Sequence, residues 1–160
     1  MAVRLRPAAA TDVDVLHGLI VELARFHGGE ADVIGTPAML SRALFSDCPS
    51  AEALLAEADH ELAGFAVFHA TFSTWECLPG LWLEDLYVSA RFRGSGVGRA
   101  LLAELARLTV ERGGARLEWH RAAWNEPALR FYEGLGAELL PEERLHRLRG
   151  AALEQLARSD

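Results

Sequence analysis

The sequence predicts an α/β (α+β) fold: one twisted mixed sheet of six to seven strands with helices on both faces. Strand-like alternation and helical periodicity take turns along the whole chain. A glycine-rich turn, Arg93-Gly94-Ser95-Gly96-Val97-Gly98, joins a strand pattern at Leu81 to Val88 to an amphipathic helix at Arg99 to Arg112. Size agrees, because 160 residues, 51% of them hydrophobic, suffice for a single domain over residues 1–160.

In order along the chain, Val3 and Leu5 alternate with arginines and stop at Pro7, as a strand does. Thr11 or Asp12 can cap a helix whose apolar positions Val15, Leu16, Leu19, Ile20 and Leu23 recur at three and four residues, ending near His27-Gly28-Gly29. A second helix covers Pro37 to Phe45. Ala51 to Ala58 and Glu61 to Ala70 read as strands joined by a tight turn at Asp59-His60, and Thr71 to Gly80 as a loop. After the strand, turn and helix already described, with Leu101, Leu102, Leu105, Leu108 and Val110 as the buried stripe, Gly113-Gly114 ends that helix. Ala115 to Arg121 alternates again, Asn125 to Gly134 is a helix, Ala137 to Leu140 and Leu145 to Leu148 are short strands, and Ala151 to Arg158 is a last amphipathic segment.

Charge and targeting patterns narrow the function classes. With 23 acidic against 16 basic residues the net charge is −7, which disfavours nucleic acid as a partner and suits a cationic one. No apolar run approaches the ~20 residues of a membrane span, and Met1 to Arg6 leads straight into strand pattern, so a cytoplasmic protein without a membrane partner is expected. Cys48 and Cys77 have neither metal-ligand nor C-x-x-C spacing, and no metal is expected.

Three glycines within Arg93 to Gly98 remove Cβ atoms that would hold a pyrophosphate away from the main chain, and the helix that follows adds its positive end. A dinucleotide fingerprint would need glycine where Arg99 stands, and a P-loop would need lysine, which the chain lacks altogether. What fits is R-x-x-G-x-G, Arg93 through Gly96 to Gly98. A second constellation is Trp124-Asn125-Glu126-Pro127-Ala128-Leu129-Arg130-Phe131-Tyr132. Asn125 is a good N-cap, Glu126 favours the positive helix end and Pro127 is tolerated in the first turn, so this helix starts sharply.

Together the segment Leu83-Glu84-Asp85-Leu86-Tyr87-Val88, the glycine turn and the Trp124-to-Tyr132 motif resemble the GNAT N-acetyltransferase superfamily, in particular its spermidine/spermine (diamine) and thialysine branch. Arg6-Pro7-Ala8, Leu23-Ala24-Arg25-Phe26, Gly64-Phe65-Ala66 and Trp75 extend the likeness over most of the chain. The resemblance implies a mostly antiparallel GNAT sheet with a splayed central strand pair, acetyl-coenzyme A as co-substrate, and a homodimer. It implies that the main chain of Leu86, Tyr87 and Val88 aligns the pantetheine, and that the turn from Arg93 and Gly94 through Ser95, Gly96, Val97 and Gly98 to Arg99 holds the pyrophosphate. Asn125, Pro127 and Ala128 would approach the cofactor from the neighbouring helix.

Acetyl transfer to an amine needs a neutral nitrogen, a polarised carbonyl and a proton for the departing thiolate. Tyr132 occupies the position of the family's general acid. Glu84 matches the family's base; alternation sets it beside Trp82, Leu86 and Val88, among apolar neighbours that favour its neutral form. Asp85 falls on the opposite face unless a bulge intervenes, and is expected to line the substrate channel of this or a partner subunit. Phe26 and His27 complete the acceptor side. Glu30, Asp32, Asp85, Glu142 and Glu143 could line a polyamine groove, yet His27 stands where an acidic residue is expected, Gly28-Gly29 replaces bulkier residues, and Arg144 falls near another acidic position. The acceptor is then a small cationic primary amine: a polyamine, a diamine or a thialysine-like amino acid. A GNAT acting on an aminoglycoside-like drug or a peptide N-terminus, and a non-catalytic acyl-coenzyme A sensor, are the alternatives.

Overall fold

A computed structural model describes residues 2–159, and the chain divides into two compact units, the first ending at His120 and the second starting at Arg121. Among the described residues no helix is long and apolar enough to cross a membrane.

The first unit is built on a five-stranded sheet in sequence order: β1 (Val3–Pro7), β2 (Glu52–Ala58), β3 (Glu61–Ser73), β4 (Leu78–Val88) and β5 (Arg116–Trp119). Every neighbouring pair is antiparallel except β4 and β5, which run parallel. Helices α1 (Val13–Phe26) and α2 (Pro37–Phe45) cover one face, where Leu16, Leu19 and Leu44 pack with Leu55, Phe65, Val67 and Tyr87. Helix α3 (Val97–Glu111) touches all five strands, and strand alternation turns Leu54, Ala66 and Phe68 away from the first cluster.

The helical stripes depart from the sequence reading at two places. Val15 is exposed, and Val13 is buried with Leu16 and Leu19. On α3 the ridge at four-residue steps is Val97, Leu101, Leu105 and Thr109, so Thr109 is buried with its hydroxyl donating to Leu105 O at 2.8 Å, and Val110 is exposed. Asp12 stands at the N-cap of α1 without capping it. Its carboxylate accepts two bonds from Arg6, at 2.6 and 2.9 Å, and one from the amide of Ala9, while Arg6 also reaches Glu57 on β2. Arg6 and the Ala9 amide hold that carboxyl below its ordinary range.

The turn at Asp59-His60 forms as expected, with φ of 52° and 68°. Two consecutive positive angles are the requirement of a type I′ hairpin, which matches the right-handed twist of its strands. Aspartate and histidine tolerate that region better than most residues, but asparagine followed by glycine favours it more strongly. Replacing the pair by Asn-Gly is expected to stabilise the fold by about 0.5–1 kcal/mol and raise Tm by roughly 2–3 °C in a calorimetric scan.

The segment read as a loop from Thr71 to Gly80 is instead the far end of the β3–β4 hairpin, with pairing continued to Ser73 and Leu78 and the turn confined to residues 74–77. Gly80 is not a turn glycine. A Cβ there would lie 2.9 Å from Arg116 O and from Thr71 Oγ1, so glycine permits the close approach of β4 to its neighbours.

The second unit holds α4 (Glu126–Glu133) and α5 (Ala151–Ala157). The two short strands expected at Ala137 to Leu140 and Leu145 to Leu148 do not form, which is why the sheet has five strands and not six or seven. The chain between them folds on itself instead. Glu143 N donates to Leu140 O, the Arg144 guanidinium donates to the carbonyls of Pro141 and Glu143, and proline offers no amide to a ladder.

Candidate functional site

Helix α3 starts at Val97, two residues before the sequence reading, so Val97, Gly98 and Arg99 form its first turn. Gly94 and Gly96 have φ of 76° and 91°, angles that strain any residue with a Cβ. No atom lies within 4 Å of where either Cβ would project. Arg93 N donates to Ala90 O and Ser95 N to Phe92 O, both at 3.3 Å, and the Ser95 hydroxyl also donates to Phe92 O. Among the described residues, the amides of Gly94, Gly96, Val97, Gly98 and Arg99 donate to no protein acceptor. Unpaired donors at the positive end of a helix, facing open space, are the chemistry of an anion cradle. A coenzyme A pyrophosphate fits it.

Strand β4 leads into this turn and is open on one edge. Its parallel ladder with β5 covers only Gly80 to Leu83 against Arg116 to Trp119, whereas β3 stays paired on the other edge as far as Val88. Leu86, Tyr87 and Val88 therefore lie past the end of the β5 ladder, which takes in every residue of β5, and no β5 residue pairs with them. The Tyr87 ring itself turns into the core, 6.2 Å from Phe65.

A β-bulge sits where the ladders part. Val67 pairs with Asp85 and Phe68 with Leu83, leaving Glu84 without a cross-strand partner. Since directly opposed residues share a face, Trp82 (opposite His69) and Asp85 (opposite Val67) both lie on the α1–α2 side. This corrects the simple alternation. Leu86 pairs with Ala66 and so faces away from Trp82, and Asp85 joins Trp82's face instead of opposing it. Glu84 is exposed and accepts the Trp82 indole N–H at 3.1 Å, so the apolar surroundings expected for it are absent. The carboxyl withdrawn from water is Asp85, pushed up to about 6 by burial and then by the negative charge of Glu84.

Phe26 is the last residue of α1 and His27 its C-cap, with the two rings 5.5 Å apart. The Arg93 side chain joins them and does not turn into the cradle: its guanidinium lies 4.5 Å over the Phe26 ring and 5.8 Å from that of Tyr87, while Nε donates to Val88 O at 3.1 Å. Of the acidic residues that could line a polyamine groove, Glu30 is bound by Arg25 through two hydrogen bonds of 2.6 and 2.8 Å.

In the second unit, Asn125 caps α4 as expected, its Oδ1 accepting the Ala128 amide at 3.3 Å. That bond commits the Ala128 N–H, and Pro127 has none, so neither supplies a main-chain donor to a ligand. The Asn125 side-chain nitrogen makes no hydrogen bond among the described residues. Burial pushes the Tyr132 phenol above its ordinary value against the opposing charge of Arg121. It stays protonated across the physiological range.

Trp82 was expected beside Glu84 only as an apolar neighbour, and two participants escaped the sequence reading: His120, whose ring meets Trp82 edge-on at 4.6 Å, and Glu22, which faces the Tyr87 hydroxyl. Two adjacent acids inside an otherwise apolar strand were the available signal for the bulge. Nothing in the sequence pointed to His120.

A profile of the acetyltransferase (GNAT) family matches residues 22–137. The chain is 31% identical to a thialysine N-epsilon-acetyltransferase of Caenorhabditis elegans over 89% of either chain. It is 36% identical to an L-ornithine N5-acetyltransferase of Arabidopsis thaliana, where the match spans 61% of this chain but only 43% of that protein. Among solved structures, an integron cassette protein from the mobile metagenome of V. cholerae superposes with a TM-score of 0.82 at 28% identity, over 99% of both chains.

Proposed function

Because the chain belongs to the acetyltransferase (GNAT) family, we propose that it moves the acetyl group of acetyl-coenzyme A directly to the primary amine of a small cationic molecule, both substrates being bound together. The carrying observation is the anion cradle at the start of α3, five amides without protein acceptors, reached along a strand that runs on past the end of β5. When bound, acetyl-coenzyme A supplies an acetyl thioester.

The chain's own groups do the rest. Amides of Gly94 and of Gly96 through Arg99 hold the pyrophosphate, the main chain of Leu86 to Val88 aligns the pantetheine arm, and Asn125 offers its side-chain amide. Glu84, oriented by the Trp82 indole, takes the proton of the incoming ammonium through water. As the nitrogen bonds to the acetyl carbon and the C–S bond breaks, Tyr132 gives its proton to the leaving sulfur, and the second proton shed by the acylated nitrogen returns the phenolate to phenol. A phenol can protonate a developing thiolate, because the reference values are about 10 and 8.5.

For the acceptor, relatives named for thialysine and ornithine support a short amine bearing an amino-acid head over a long polyamine. The engagement of Glu30 by Arg25, and a histidine at position 27, agree with a weakly acidic acceptor side. A panel of amines assayed for free-thiol release tests this: thialysine, ornithine and a diamine should exceed spermine in kcat/KM. Preference for an aminoglycoside or a peptide N-terminus would replace the acceptor assignment. Coenzyme A binding without turnover on any amine would leave a sensor.

A further inference from the structure

We infer that Arg93 is a positioning residue that ties the end of α1 to the end of β4, and is not a phosphate ligand. The assignment rests on the cofactor and acceptor sides just proposed, and on three contacts that occupy the guanidinium. Its central carbon lies over the Phe26 ring, 4.5 Å from the centroid, the Tyr87 ring is 5.8 Å away, and Nε is spent on Val88 O at 3.1 Å.

Each contact has a structural address. Val88 closes β4 immediately before the turn, and Phe26 closes α1 beside His27. Tyr87 is anchored beneath by Phe65 and faces Glu22 from the middle of α1. Arg93 therefore fixes the acceptor-side helix end against the strand that leads to the cradle, while the cradle's own donors are main-chain amides. Only a planar cation can stack by its face and donate in its plane at once. Lysine keeps the charge but loses the paired geometry.

The test uses R93K, R93M, F26L and the R93M/F26L double variant of the full chain. Affinity for coenzyme A is read by calorimetry, KM for the preferred amine by steady-state kinetics, and Tm by thermal denaturation. The tie predicts a coenzyme A Kd within about threefold of wild type in every variant. Acceptor KM should rise about five- to tenfold in R93M and in F26L, with R93K close to R93M, and the double variant should be no worse than the more damaged single. A Kd for coenzyme A weakened tenfold or more in R93M, preserved in R93K and untouched in F26L, would overturn it and make Arg93 a phosphate ligand.

The tie is also visible without any ligand. Tm losses in R93M and F26L should be less than additive in the double variant, because each removes the same contact. Additive losses would also overturn the proposal. Should the wild type bind no coenzyme A, the function proposed above fails, and this thermal cycle alone decides whether the tie exists.

Discussion

Tyr132→Phe is expected to lower kcat by about 10²–10³ while leaving the Kd for coenzyme A within a few-fold of wild type. The loss belongs to the proton and not to the ring, since phenylalanine keeps the aromatic body beside Phe131, 5.3 Å away in the native helix. Burial keeps the phenol protonated well past neutrality, so wild-type turnover should show no alkaline loss below about pH 10. A thiol assay with wild type and Y132F across pH measures both. Near-normal turnover in the variant would reduce Tyr132 to a packing residue and leave water as the proton source.

The largest pH effect is expected from the acidic pair at the bulge. Asp85 titrates near 6, so below that pH it is neutral and above it carries charge that complements a cationic acceptor. kcat/KM should therefore fall as pH drops through about 6. Asp85→Asn should erase that limb and raise acceptor KM about tenfold, the value of one charge-assisted contact. Glu84→Gln should act differently: kcat falls about 10² through loss of the base, and the residual limb moves to lower pH because the like charge that helps hold Asp85 up is gone. If Asp85 accepts the proton itself, the two variants exchange phenotypes, which a pH profile of each resolves.

Local rules made much of this legible in advance. Helix α2 was readable to the residue because Pro37 and its apolar spacing are local signals, and the Asp59-His60 turn because two polar residues separated two apolar strands. The glycine turn was readable because its constraint, positive φ, is written in residue type. The features that local rules missed were decided elsewhere in the chain. Pro79 and Gly80 read as breakers, but the ladders with Phe72 and Arg116 absorb both. The bulge at Glu84 is a relation between two strands. Likewise Arg93 belonged to the motif on paper, yet Phe26, more than sixty positions earlier, determines where its side chain goes.

The unpaired residue in β4 makes the acceptor wall a matter of parity. Up to Leu83 the odd positions look toward α3; from Asp85 they look toward α1 and α2, and Glu84 is the one residue that performs the exchange. Deleting it would make the ladder regular, with Leu83 and Asp85 consecutive opposite Phe68 and Val67, so both faces would be kept and only the Glu84 carboxylate lost. A one-residue gap at that position in a related chain therefore marks loss of the bulge with both faces kept, whereas the full-length strand paired without a bulge would send Leu86 and Val88 where Asp85 and Tyr87 now point.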